Sequence, residues 1–189
     1  MRRSGWHGAI ALVLVAVLRP TGAPGEGTPA TGAAEVRVTD HRAGIHDFAA
    51  LEVALTEVAL HRRGEPRSQG WAPLLGRAPA VDLVPLKEGR SATVGTAPVP
   101  AARYDAVRVR FGEPRGRLKA GGKALVTPIS SVVAVDLTVA TDHVSWILID
   151  LYVEDVSDHR PGHYLLKIKG VAVGSSAESK PRPNQLFAG

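Results

Sequence analysis

Between residues 35 and 173, apolar side chains recur at every second position in short runs rich in Val, Ile and Leu, with Gly and Pro between the runs. That period is the one a strand shows when one of its faces lies on a core. The clearest runs are Glu35–Thr39, Ala80–Leu86, Tyr104–Phe111, Ser131–Val139, Trp146–Val153 and Tyr164–Val173, and turn residues separate them at Arg63-Gly64, Lys87-Glu88-Gly89, Pro98-Val99-Pro100, Gly121-Gly122 and Pro161-Gly162. In Phe48–Leu60 the spacing of Phe48, Leu51, Leu55 and Val58 suits a helix, but Leu51, Val53 and Leu55 alternate, as do Val58 and Leu60. A strand with a β-bulge near Thr56-Glu57 accounts for that one slip of phase. Trp146–Val153 is apolar at nearly every position except Asp150, which either faces solvent or belongs to a polar site. Seven or eight strands joined by short turns predict an all-β domain, a two-sheet antiparallel β-sandwich of immunoglobulin or prealbumin-like form.

Patterning changes at both ends. Residues 1–25 read as an export signal: Arg2 and Arg3, then the apolar run Ala9–Leu18, then Pro20 and the small residues Thr21-Gly22-Ala23. Ten apolar residues rise about 15 Å as a helix, roughly half a bilayer core, and no later run is longer, so no transmembrane span is expected. The arginine pair fits a general or a twin-arginine export route. Residues 26–34 read as a flexible linker and 174–189 as a disordered tail, which leaves residues 35–173 as the folded domain. The product is expected in the periplasm or outside the cell. It is not expected to be lipid-anchored, since the 189-residue chain has no cysteine to accept a lipid.

The lack of cysteine also excludes disulfides, thiolate metal sites and thiol nucleophiles. The formal charge of +5 comes largely from the signal: without Arg2, Arg3 and Arg19, 20 basic residues face 18 acidic ones. No nucleic-acid partner is expected on that balance. An asymmetry remains within the domain. Residues 103–123 hold seven basic side chains against Asp105 and Glu113, whereas residues 124–158 hold no Lys or Arg and six acids. Such blocks are solvated or mutually paired regions, or an anion-binding patch beside a cation-binding loop.

The order of several pieces is also distinctive: Val38-Thr39-Asp40; Leu51 to Gly64; Gly70-Trp71 with Leu74; Val81-Asp82-Leu83 with Leu86; Val99-Pro100-Ala101; Tyr104 to Phe111; and Gly162 to Ile168. From Val36 to Val173 the ordered set resembles the bacterial and archaeal domain of unknown function 4382. That resemblance implies an exported all-β domain, often carried on lipoproteins, with no established activity to transfer.

Chemistry is sparse. Asp-His neighbours at Asp40-His41, His46-Asp47, Asp142-His143 and Asp158-His159, with His163 four residues further on, supply imidazole and carboxylate ligands. H-E-x-x-H, calcium-loop, G-x-S-x-G and phosphate-loop patterns are all missing. Asp150 and Glu154 on one strand lie about 13 Å apart, too far for glycoside cleavage. The expectation is therefore a non-catalytic binding or envelope-structural module without a cofactor, whose partner is a protein or glycan of the envelope. Its ligand-binding candidates are Glu154, Asp155, Asp158, His159 and His163, with His143 as a distant partner. The alternative is an envelope metal-binding protein with Asp158, His159 and His163, joined by Asp155, as ligands for zinc or copper, or with Glu154, Asp155 and Asp158 as ligands for calcium.

Overall fold

The computed structural model describes residues 30–41, 44–158 and 162–175. Its regular elements are eleven strands and two 3-10 turns, so the fold is all-β. The strands are β1 (Thr31–His41), β2 (Phe48–Arg62), β3 (Trp71–Pro73), β4 (Ala80–Asp82), β5 (Ser91–Pro100), β6 (Ala102–Phe111), β7 (Arg115–Leu118), β8 (Lys123–Pro128), β9 (Ser131–Val139), β10 (Val144–Asp155) and β11 (His163–Ser175); the turns are Gly44–Asp47 and Val84–Leu86. They follow one open hydrogen-bonded path, β5-β1-β10-β11-β8-β7-β2-β6-β9, with β3 and β4 paired to β2. Two neighbouring pairs, β1 with β10 and β11 with β8, run parallel, which corrects the expectation of a wholly antiparallel arrangement.

The count exceeds the seven or eight expected because the added strands have no readable period. β3 and β4 are three residues long. β5 contains Gly95, Pro98 and Pro100, tolerated because β5 is an edge of the path. The run Ala80–Leu86 is divided: Asp82 Oδ1 accepts from the backbone N–H groups of Leu51 (3.0 Å) and Val84 (3.1 Å), and Pro85 sits in the 3-10 turn that follows β4. At the ends, β1 begins at Thr31, within the stretch read as linker, and β11 runs to Ser175, past the expected start of the tail. Gly32 makes the first step close. A Cβ there would lie 2.3 Å from the carbonyl oxygen of Ala140, while the neighbouring Ala33 N–H donates to the His143 carbonyl at 2.9 Å. The expected signal, residues 1–25, lies outside the described residues.

β2 is the strand with a bulge that the slip of phase predicts. Its pairing with β6 shifts register between Leu55 and Glu57, at Thr56. The N-terminal half pairs with β7 and the C-terminal half with β6, and on its other side β2 takes β4 and β3.

A single core lies inside the path. It joins Val36 and Val38 of β1, Leu51, Val53 and Leu55 of β2, Val107 and Val109 of β6, Ile147, Ile149 and Leu151 of β10, and Leu166 of β11. Outside, Glu35 and Arg37 of β1 form an ion pair at 2.7 Å. Asp40 keeps the phase of Val36 and Val38 and is 4% exposed, and neither carboxylate oxygen has a hydrogen-bond partner among the described residues. Burial pushes its carboxyl up to about 7, reinforced by the charge of Asp150. Asp150 is also buried. Its carboxyl is pushed up to about 6 by burial, against the pull of Lys169, and it lies 3.7 Å from His41 Nδ1. The strand residue that sequence left open between solvent and a polar site is thus in a polar site.

Asp40 holds its proton more tightly folded than unfolded, so its contribution is full below the ordinary value of 3.8 and is lost as pH rises through about 7. In Asp40→Asn, thermal unfolding followed by circular dichroism is expected to show a midpoint above wild type at about pH 8, with the gap closing towards pH 4. A gap that is constant with pH would show that the carboxyl is not the cause.

Candidate functional site

The segment singled out in the sequence is only partly assembled. Glu154, near the end of β10, forms an ion pair with Lys167 of β11. Asp155 accepts the Ser157 N–H at 2.8 Å, and bonds from Ser157 hold its carboxyl below the usual range. Asp158 is exposed, and His159 lies outside the described residues. His163 opens β11, with Nε2 2.9 Å from Thr127 Oγ1 of β8. His143 does not join them. It precedes β10 at the opposite end of that twelve-residue strand, about 36 Å away at strand rise, and its Nδ1 bonds the Thr141 carbonyl at 2.8 Å. Among the described residues no three His, Asp or Glu side chains are grouped so as to hold a metal ion.

Two other clusters emerge. The first surrounds His61, a buried ring on β2 whose Nδ1 lies 2.7 Å from Asp105 Oδ1 and whose Nε2 lies 3.2 Å from the Pro66 carbonyl. The hydrogen bond from His61 holds the Asp105 carboxyl below its ordinary range, with help from Arg67. Trp71 packs on His61 with centroids 4.9 Å apart, carries the Arg108 guanidinium 4.1 Å from its own centroid, and donates Nε1–H to the Arg67 carbonyl at 2.9 Å. Beside it, Tyr104 donates its hydroxyl to the Pro100 carbonyl four residues upstream at 2.8 Å, as in the tyrosine corner of sandwich folds. Both polar ends of this cluster are bonded within the protein, so it holds β2, β3 and β6 together. Sequence carried no sign of it, since His61 and Asp105 are 44 positions apart.

The second cluster is the hairpin of β7 and β8. Gly116 faces Ala124 and Arg117 faces Lys123 across the pair. Arg115, Arg117 and Lys119 alternate with the half-buried Gly116 and Leu118, so the three cations share the outer face. Together with Lys123 they line an open groove of about 730 Å³, at whose end Glu113 is the acid. Many of the other arginines and lysines find carboxylates: Arg37 with Glu35, Arg63 and Arg103 with Asp136 (3.0 and 3.3 Å), Arg67 with Asp105 (3.4 Å), Arg108 and Arg110 with Glu57, and Lys167 with Glu154. None of Arg115, Arg117, Lys119 and Lys123 forms an ion pair with a described residue. Like charges directly opposite on an antiparallel pair repel, yet Arg117 and Lys123 are held so. The excess of basic residues over 103–123 was the signal available in sequence; that these four lack partners was not.

Gly116 sets the hairpin on the core. A Cβ there would meet Phe48 Cε1 at 2.6 Å and Ala124 Cβ at 3.1 Å, and Phe48 is itself fixed edge-on against Tyr164 at 4.8 Å. Tyr164 donates to Asp47 Oδ2 at 3.2 Å, and its hydroxyl is pushed up to about 12 by burial and by that bond.

Residues 31–167, which include β1 through the hairpin and into β11, match the family described as "Domain of unknown function (DUF4382)". The chain belongs to this family. No curated protein and no solved structure matches it. Within this DUF4382 domain no helix is long and apolar enough to cross a membrane among the described residues.

Gly116→Val forces the hairpin off Phe48. A loss on the order of 1–3 kcal/mol is expected in denaturant unfolding, whereas Gly76→Ala, at an exposed position where a Cβ meets nothing within 4 Å, changes stability by about 0.5 kcal/mol or less. Equal losses would show that contact with Phe48 does not set the position of β7.

Proposed function

We propose that this DUF4382 domain is an exported, non-catalytic β-sandwich module of the cell envelope that binds an anionic ligand on the outer face of β7 and β8. The observation that carries the reading is the cross-strand pair Arg117 and Lys123, flanked by Arg115 and Lys119, with no carboxylate partner among the described residues. A fold that neutralises most of its other strand-borne cations internally leaves these four for a counter-charge from outside. The groove is concave, as ligand sites are, and cations lining a cleft on a low-dielectric wall attract anions from solution. His163 and Thr127 lie on the neighbouring strands of the same region, so His163, singled out in sequence, borders this face.

Charge reversal tests the reading. The purified chain is expected to be retained on phosphocellulose at low salt, and Arg117→Glu/Lys123→Glu to weaken binding at least about tenfold, since each basic contact to an anionic surface contributes about 1 kcal/mol. Arg77→Glu/Arg90→Glu changes net charge equally at exposed positions and is expected to bind as wild type. Equal loss in both double variants would reduce the effect to net charge and overturn the site.

A further inference from the structure

Resting on that reading of the hairpin, we propose that the anion is a linear acidic glycan laid along β7, and not a compact anion. Arg115, Arg117 and Lys119 occupy successive outward positions of one strand and its continuation. Successive outward positions are about 7 Å apart, so the three span roughly 13 Å, and Lys123 stands about 5 Å to the side of Arg117. A single phosphate or carboxylate reaches two of these cations at most. Satisfying all four takes several anionic groups repeating along a chain.

The boundaries of the groove suit a chain. At one end stand Glu113 and, across the ladder from Arg115, the exposed Glu52; both would repel a polyanion continuing that way. At the other end the hairpin turns through Gly121 and Gly122, where nothing lies within 4 Å of a Cβ, so the path is open. Beyond Lys123 on the same face of β8, Leu125 is 49% exposed and offers an apolar surface to the carbon face of a sugar ring. Among the described residues no aromatic side chain lines the groove, so bases of a single-stranded nucleic acid would find no stacking platform there. The anions on the glycan are carboxylates or phosphates, and both are bound through the same charge pairing.

The test uses the full chain with polygalacturonate and galacturonate, polyphosphate and pyrophosphate, and oligo-deoxythymidylate, titrated by calorimetry at several salt concentrations. Each ion pair to a flexible polyanion adds about 0.7 to the slope of log affinity against log salt. A polymer is expected to bind with a slope near −3, at least 100-fold tighter per site than its own monomeric anion. Arg115→Gln is expected to lower the slope by about 0.7 without changing the thermal midpoint. Tighter binding to polygalacturonate supports the glycan, with carboxylates as its anions, whereas tighter binding to polyphosphate, which has no sugar ring to set on Leu125, overturns the glycan and leaves an extended anion. If galacturonate or pyrophosphate binds as tightly as its polymer, or the slope is near −1, the extended ligand is wrong while the anion-binding face stands. If oligo-deoxythymidylate binds best, the glycan is wrong. If none of the five binds, the anionic reading of the face falls with it.

Discussion

The backbone of β2 has to satisfy hydrogen bonds on both sides along fifteen residues, and most of the sheet is arranged around that demand. One flat strand could not serve four partners. The bulge at Thr56 turns the strand so that its first half meets β7 and its second half meets β6, while β4 and β3 close the other side. Apolar alternation survives the turn because the extra residue restores the inward phase at Val58 and Leu60. Phe48, at the start of β2, is the inner support of the β7–β8 hairpin, so the position of the basic groove follows from the geometry of a strand that contributes none of its cations.

Electrostatics divides the outer surface into two kinds of region. Around Glu57, Asp105 and Asp136, carboxylates sit between two basic groups each, and Trp71 adds its ring to Arg108. These are closed arrangements that join neighbouring strands. Exposed pairs of this kind contribute little to stability individually, but they leave little potential for an outside ion. The β7–β8 hairpin is the contrast: the same residue types, on a shorter and more glycine-rich ladder, with their field directed outward. A third kind of charge lies inside, where Asp40, in phase with Val36 and Val38, has no hydrogen-bond partner among the described residues and Asp150 shares its end of the sheet.

Long strands were legible because Val36/Val38, Val107/Val109 and Ile147/Ile149 place identical chemistry two residues apart, and because the slip at Thr56 could be assigned to one extra residue. β3 and β4 were not, since three residues cannot establish a period, and β5 was hidden by Gly95 and two prolines that an edge strand tolerates. The candidate site was legible only as an excess of basic residues. Whether Arg108 and Arg117, nine residues apart, are neutralised depends on what the neighbouring strand brings up: Glu57, diagonal to Arg108 on the ladder, pairs with it, whereas Lys123 stands directly across from Arg117. The Asp-His neighbours, by contrast, were local in sequence and were scattered by the fold: His143 and His163 flank a full-length strand from opposite ends.

The parallel pairing of β1 with β10 joins Ala33 to Val144 and His41 to Tyr152, partners more than a hundred residues apart. Such a ladder cannot begin to form until nearly the whole domain has been synthesised, and contacts of this sequence separation make folding slow. For a chain exported as proposed, the delay is useful. β1 can meet β5 midway through synthesis, but its other edge waits for β10, so the sheet would stay incomplete and threadable through a narrow translocation channel while the strands that close it are still being made.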